Sequence, residues 1–305
     1  MFNFNNVLIT GGNGFIGRNL VKKIRENHPQ CEITALDLKA NDSPSKSVKF
    51  ITHDLAEEPL KITGEYDLII HAAALLGVDN VIQDPLGTIF TNINMLKNLE
   101  TSLKNNHQSK LVFFSTSEVY DAGRKITEDN QENDVNQNLL VPNLKHPRSS
   151  YALSKIIGEF WTNLHGNNLI VRPHNIYGRQ MGDRHVIPSL IQKIKNAHLQ
   201  NKFLRIQNYN HVRSFCFVED AVDQIIWLLS KEKSGCFNIG NSNEPTSIYN
   251  LAVLISNKIG VDNTLIKIGD TNVQGSTSYR RPIIIPELTH LSSTTLSDGV
   301  ELLID

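Results

Sequence analysis

Short apolar runs separated by amphipathic stretches dominate the first half of the chain. Val7-Leu8-Ile9-Thr10, Ile33-Thr34-Ala35-Leu36-Asp37, Val48-Lys49-Phe50-Ile51, Asp67-Leu68-Ile69-Ile70-His71, Lys110-Leu111-Val112-Phe113-Phe114 and Asn168-Leu169-Ile170-Val171-Arg172 each read as a strand. Runs this short and this apolar suit strands covered on both faces, as in a parallel sheet. Between them the spacing turns helical. Leu20, Val21 and Ile24 share one side of residues 18–27; Ile89, Ile93, Leu96 and Leu99 form a stripe along 84–105; and 149–164 is a third helix. Strands alternating with helices predict an α/β fold, a Rossmann-type doubly wound parallel sheet whose ligands lie outside the carboxyl ends of the strands. Residues 121–148, rich in Asn, Asp and Pro, are predicted to be a long surface loop able to cover that end.

Past Gly178 the pattern loosens. Helices are expected over 187–197, 219–230, 247–259 and near 295–303, with extended segments at 212–218 and 236–239. This predicts two parts: 1–175 as the dinucleotide-binding domain that also carries the catalytic residues, and 176–305 as a smaller C-terminal α/β substrate-binding part, with the chain crossing between them.

The first strand runs into Gly11-Gly12-Asn13-Gly14-Phe15-Ile16-Gly17 and then a helix. Such a strand, glycine turn and helix lets backbone approach a pyrophosphate and aims helix N–H groups at it. Asp37 ends the second strand twenty residues after Gly17. A carboxylate there accepts from ribose hydroxyls and repels a 2′-phosphate, so the expected cofactor is NAD. Ala72-Ala73-Ala74 after the fourth strand is small enough for a cofactor to lie over the strand end.

Candidate chemistry centres on Tyr151 and Lys155, four apart and so on one helix face. A phenol normally ionises near pH ~10, and a cation within ~4–6 Å favours the phenolate, which makes a base. Ser115-Thr116-Ser117-Glu118 follows the fifth strand, and alternation along an extended segment is expected to let Thr116 and Glu118 reach one substrate.

Composition narrows the classes. The 305 residues are 40% hydrophobic and 20% charged with a formal net charge of −1, so no bulk field recruits nucleic acid or an acidic membrane. No apolar run approaches the ~20 residues of a membrane span, and the polar start Met1-Phe2-Asn3-Phe4-Asn5-Asn6 is unlike a signal peptide. Cys31, Cys216 and Cys236 lie far apart without a CxxC, and the eleven histidines show no metal-ligand spacing. A cytoplasmic protein with reduced thiols and no metal is expected.

With these pieces placed, the chain resembles an extended short-chain dehydrogenase/reductase of the NAD-dependent epimerase/dehydratase family, which modifies nucleotide sugars. The resemblance rests on Thr10 to Gly17, Asp37, Asp54-Leu55, His71-Ala72-Ala73-Ala74, Asn92, Ser115-Thr116-Ser117-Glu118-Val119-Tyr120, Tyr151/Lys155 and Arg172-Pro173-His174-Asn175-Ile176-Tyr177-Gly178. It implies that Gly11, Gly14, Phe15, Ile16, Gly17, Asp37, Asp54, Leu55, Ala72, Ala73, Ala74, Asn92, Tyr151 and Lys155 bind NAD. It further implies that Thr116, Ser117, Glu118, Tyr151 and Lys155 are catalytic, with Lys155 lowering the pKa of Tyr151, and that Asn175, His185, Arg213 and Arg280 bind the substrate. The expected reaction oxidises a sugar at C4, then epimerises or decarboxylates the 4-keto sugar and returns the hydride. Alternatives are a 4,6-dehydratase, a reductase of a small carbonyl compound and a non-catalytic NAD-binding regulator. Ser-Thr-Ser-Glu-Val-Tyr is most similar to the UDP-glucuronate decarboxylases, which favours a UDP-sugar. Asp121, Arg179 and His185 depart from that pattern. Helices 84–105 and 149–164 carry more apolar surface than one sheet contact needs, with Ile156, Ile157, Phe160 and Trp161 almost consecutive, and resemble the helices that family members pair as homodimers.

Overall fold

The computed structural model describes residues 2–39, 48–61, 64–104, 106, 108–121, 132–271 and 277–304. By contact the chain divides into two compact units: Met1–Gly123, Asn138–Pro173 and Val222–Phe237 form the first, and Arg124–Gln137, His174–Ala221 and Asn238–Asp305 the second. The chain therefore leaves each unit and returns to it; the sequence sets the main division at 175/176 with crossings between the two parts.

The first unit holds β1 (Asn6–Thr10), α1 (Phe15–Asn27), β2 (Glu32–Asp37), β3 (Val48–Thr52), β4 (Leu68–His71), α2 (Val78–Gln83), α3 (Pro85–Leu103), β5 (Lys110–Phe114), α4 (Glu118–Asp121), α5 (Ser149–Asn163) and β6 (Asn168–Pro173). All six strands predicted there form, and β1–β2, β2–β3, β1–β4, β4–β5 and β5–β6 pair in parallel. Every residue of β4 and β5 is buried, which is why those runs are continuous rather than alternating. Leu8, Leu36, Ile69, Leu99 and Leu111 pack into one core between sheet and helix. α3 starts where Asp84 caps it, its carboxylate accepting from the Gly87 N–H at 2.8 Å, with Pro85 in the first turn.

The remaining elements are β7 (Ile176–Tyr177), α6 (Val186–Leu199), β8 (Leu204–Ile206), β9 (Val212–Ser214), β10 (Cys216–Phe217), α7 (Val218–Ser230), β11 (Gly235–Ile239), β12 (Pro245–Ser247), α8 (Ile248–Ile259), β13 (Ile266–Ile268), β14 (Tyr279–Arg280), α9 (Pro286–Thr289) and α10 (Leu296–Ile304). β11 is a seventh strand of the large sheet, whose order is β11-β6-β5-β4-β1-β2-β3. The sequence places that segment in the smaller part instead. β12, β9 and β14 make a small sheet within the second unit, with β12–β9 antiparallel and β14–β9 parallel. Its core gathers Tyr177, Ile187, Phe215, Leu251 and Val300.

The predicted surface loop at 121–148 is not uniformly superficial. Residues 122–131 lie outside the described residues, but Asn133 is fully buried and exchanges backbone hydrogen bonds with Arg281 and Ile283. Among the described residues no helix is long and apolar enough to cross a membrane.

Candidate active site

The glycine loop is built by close approach. Gly11 has φ +72°, and a Cβ there would stand 2.7 Å from the Ala73 backbone nitrogen. A Cβ on Gly17 would come within 2.0 Å of the Gly11 carbonyl oxygen. Only glycine satisfies both positions, the first by its left-handed backbone and the second by its bulk. Gly14 is exposed and forms the N-cap of α1, with Phe15 and Ile16 opening the helix. Asp37 sits at the carboxyl end of β2, where Oδ2 accepts from the Asn13 N–H at 3.0 Å and Oδ1 from the Lys39 N–H at 3.1 Å. Ala72, Ala73 and Ala74 are half-buried beyond β4. A small-residue cradle, a helix N-terminus and a carboxylate at the second strand end fit a dinucleotide.

Three of the residues expected at the cofactor have structural work as well. The Asp54 carboxylate accepts from the Ala56 N–H at 2.9 Å, and Leu55 is buried in the core beside Leu36 and Leu99. Asn92 accepts from the Leu75 N–H at 2.7 Å and donates to the Leu75 carbonyl and to Ser154 Oγ. Both of its N–H donors are thus spent inside the protein, so Asn92 braces the segment after β4 against α5.

The catalytic candidates converge at the carboxyl end of β5. Thr116 hydrogen-bonds the Tyr151 phenol. Lys155 Nζ lies 5.9 Å from the Tyr151 ring centroid and 4.9 Å from that of Phe113, and donates to the Phe114 carbonyl at 2.8 Å. α5 comes this close to β5 because Gly158 faces the Phe113 ring; a Cβ there would meet Phe113 Cζ at 2.1 Å.

The ionisation of the pair differs from the sequence expectation. Burial pushes the Tyr151 phenol up, the Glu118 carboxylate pushes it further, and the Thr116 hydrogen bond alone opposes them. Burial also pushes the Lys155 amine down to about 7 against the attraction of Glu159. Lys155 does not lower the phenol here because desolvation acts on both groups and the ammonium is turned onto a main-chain oxygen.

Thr116 and Glu118 share the site for a different reason from strand alternation. β5 ends at Phe114, and the chain then turns into α4, with Thr116 Oγ1 accepting from the Glu118 N–H at 3.2 Å. Ser117 is buried, its N–H bonded to the Pro173 carbonyl at 3.2 Å.

Two features of this site escaped the sequence reading. Arg148 forms an ion pair with Glu118 at 2.9 Å. Its position three residues before Tyr151 was the available signal. Beneath Lys155, Glu159 accepts from Ser115 Oγ at 2.5 Å and from Arg172 at 2.8 and 2.6 Å, while Arg172 donates to Tyr120 at 2.7 Å. This buried network ties α5, β6 and the chain after β5 together. His71 lies below it, 2.8 Å from Thr10 Oγ1 and stacked on Phe113.

The substrate candidates lie in the second unit. Asn175 has φ +45°, and its amide donates to the Ser214 carbonyl at 3.0 Å. Asn tolerates that left-handed backbone better than most residues. Arg213 in β9 and Arg280 in β14 are register partners on adjacent strands. Arg213 donates to the carbonyls of Val212 and Thr277. His185 is exposed at the N-cap of α6. Among the described residues no group of three or more His, Cys, Asp or Glu could hold a metal ion.

A parallel sheet with a glycine loop at its first strand end and a Thr/Tyr/Lys cluster at its fifth defines a dinucleotide-binding α/β protein with an acid/base centre. The sequence profile of the NAD dependent epimerase/dehydratase family matches residues 7–240, and the chain belongs to that family. It is 32% identical over 258 residues to a UDP-N-acetyl-alpha-D-glucosaminuronate decarboxylase of Bacillus cytotoxicus, covering 78% of this chain and 75% of that one. It is 26% identical over 263 residues to a dTDP-D-glucose 4,6-dehydratase of Dictyostelium discoideum, covering 79% of this chain but only 59% of the relative's length. In structure it is similar to the dTDP-glucose 4,6-dehydratase DesIV of Streptomyces venezuelae, solved with NAD bound, with a TM-score of 0.79 at 21% identity over 98% of this chain and 95% of that one.

Proposed function

We propose that this protein is an NAD-dependent enzyme that oxidises a nucleotide sugar at C4, transforms the 4-keto sugar and reduces it again. The observation that carries the reading is Tyr151, bonded to Thr116 and beside Lys155, at the same carboxyl edge of the sheet as the glycine loop, with β4 between β1 and β5. NAD held at the glycine loop and Asp37 would supply the hydride acceptor and donor for C4. Tyr151 takes the proton of the C4 hydroxyl, Thr116 relays it, and Lys155, on the same face of α5, is assigned to the nicotinamide ribose. In the second unit, Asn175, His185, Arg213 and Arg280 are assigned to the nucleotide sugar, the paired arginines suiting a diphosphate. A UDP-sugar is favoured by the 32% identity to a decarboxylase of such a substrate.

A 4-ketone acidifies C5–H and makes a C6 carboxylate a β-keto acid. Glu118, half-exposed beside Tyr151, suits either consequence as a fixed carboxylate. Elimination of a 6-hydroxyl needs a proton donor, and Ser117 is a hydroxyl with little acidity, buried in the turn. Uronate decarboxylation and epimerisation are therefore favoured over dehydration. We also propose a cytoplasmic homodimer, the free thiols Cys31, Cys216 and Cys236 suiting a reducing compartment.

The test is mass spectrometry of products after incubation with NAD and a panel of UDP-, GDP-, CDP- and dTDP-sugars, including UDP-glucuronate. One of them is expected to be converted, and Tyr151→Phe is expected to bind NAD but turn over about 10²–10⁴-fold more slowly. Conversion of none, or near-normal turnover by the variant, removes the proposal.

A further inference from the structure

We propose that Arg148 is a positioning residue that holds Glu118 as a fixed carboxylate beside Tyr151, and that the reaction runs at full rate only while this ion pair is intact. The inference rests on the C4-oxidation reading above and adds a residue to it. Arg148 Nη2 lies 2.9 Å from Glu118 Oε1, and the two side chains are only 25% and 24% exposed. A pair so far withdrawn from water is screened less than a surface pair. Arg148 has helical backbone angles at the N-cap of α5, three residues before Tyr151, so the two project from the same side of the helix.

The four groups form a closed set. Thr116 bonds the Tyr151 phenol and also accepts the Glu118 N–H, so Glu118 is fixed at its main chain by the same threonine that serves the base. Its carboxylate end is fixed by Arg148. The charge of that carboxylate opposes ionisation of Tyr151. A guanidinium on its Oε1 offsets part of that opposition and restrains the carboxylate. Arg148 thus acts through Glu118. The pairing also holds that carboxylate in one orientation for the step after C4 oxidation.

The test compares Arg148→Met, Arg148→Lys, Glu118→Gln and the Arg148→Met/Glu118→Gln double variant in the full chain. The substrate is the nucleotide sugar that the wild type converts. Arg148→Met is expected to lower kcat about tenfold to a hundredfold with KM changed less than threefold, and Arg148→Lys to recover part of the loss. The double variant is expected to be no slower than Glu118→Gln alone, because the arginine has nothing left to position. A double variant slowed by the product of the single effects overturns the proposal, as does an Arg148→Met protein with normal kcat. Urea unfolding reads the pair without any substrate. There the two single effects are expected to be non-additive, and additive effects overturn the pairing whatever the activity. If the wild type converts no nucleotide sugar while the unfolding data show coupling, the functional reading fails and the catalytic role of Arg148 falls with it.

Discussion

His71 is an ionisable residue held almost wholly out of water. It is 2% exposed, and burial, aided by the nearby charge of Lys155, pushes its imidazole down to about 3. An unfolded histidine titrates near pH ~6.5, so between about 3 and 6.5 the unfolded chain binds a proton that the folded one refuses. Stability from this group is therefore complete above about pH 6.5 and is lost as pH falls, by up to ~1.4 kcal/mol for each pH unit. Replacing His71 by Asn, which can still pair with Thr10, is expected to flatten that slope; urea unfolding midpoints from pH 4 to 7 measure it. A slope in the variant equal to the wild-type slope assigns the acid sensitivity elsewhere. The glycine turn, the strand-end place of Asp37 and the shared helix face of Tyr151 and Lys155 were legible in the sequence because each is a matter of spacing over a few residues. The buried set of Ser115, Glu159, Arg172 and Tyr120 was not, since its members meet from separate elements only after the sheet has formed. Nor was the raised Tyr151 phenol, because spacing puts a cation near a tyrosine but says nothing of the water removed from both.

At the scale of elements, one contact fixes how α5 presents its catalytic face. Gly158 lies against the Phe113 ring, and the same ring lies under Lys155 and against His71. A methyl group at residue 158 forces the ring or the helix to move, since it would stand 2.1 Å from Phe113 Cζ. Overpacking of this kind costs ~1–3 kcal/mol, and alanine regains up to ~1 kcal/mol in helix propensity. Gly158→Ala is thus expected to lower stability by about 1–2 kcal/mol and to slow turnover by disturbing Lys155, with both read on one preparation by urea unfolding and a steady-state assay. Unchanged stability and rate would show that Phe113 yields freely. The first six strands and α1, α3 and α5 among them followed from apolar runs and helical spacing, whereas the short α2 and α4 did not. The place of β11 did not follow either, because it joins the large sheet beside β6 after a return from the second unit, and a strand's partner is not written in its own residues. The turn at Thr116 to Glu118 was missed for a local reason: the Thr116 side chain accepts from the Glu118 N–H, and a threonine that closes such a turn looks the same in sequence as one ending a strand.

For the molecule as a whole, the two units account for most of the apolar surface, but α3 and α5 leave a part of it uncovered. Leu86 and Phe90 on α3 are 64% and 61% exposed, and Phe160 and Leu164 along α5 and its C-cap are 67% and 68% exposed. Leu86 and Phe90 are four apart, as are Phe160 and Leu164, so each pair lies along one face of its helix. α3 and α5 pack on each other, so these residues belong to neighbouring helices of one unit. Large aromatics in that setting cost free energy in water and mark a surface that another protein covers. A two-fold axis is the simplest symmetry that lets one patch cover its own copy, and it places α3 and α5 of each protomer in a four-helix arrangement. The homodimer is therefore expected to be held by this face, with Phe90 and Phe160 as its anchors. Light scattering at micromolar concentration is expected to give twice the mass of one chain for the wild type. Phe90→Glu/Phe160→Glu is expected to give a folded protein of single-chain mass, because the two carboxylates can neither be buried nor paired across the axis. A wild type that runs as a monomer refutes the dimer, and a double variant that remains dimeric moves the interface to another surface.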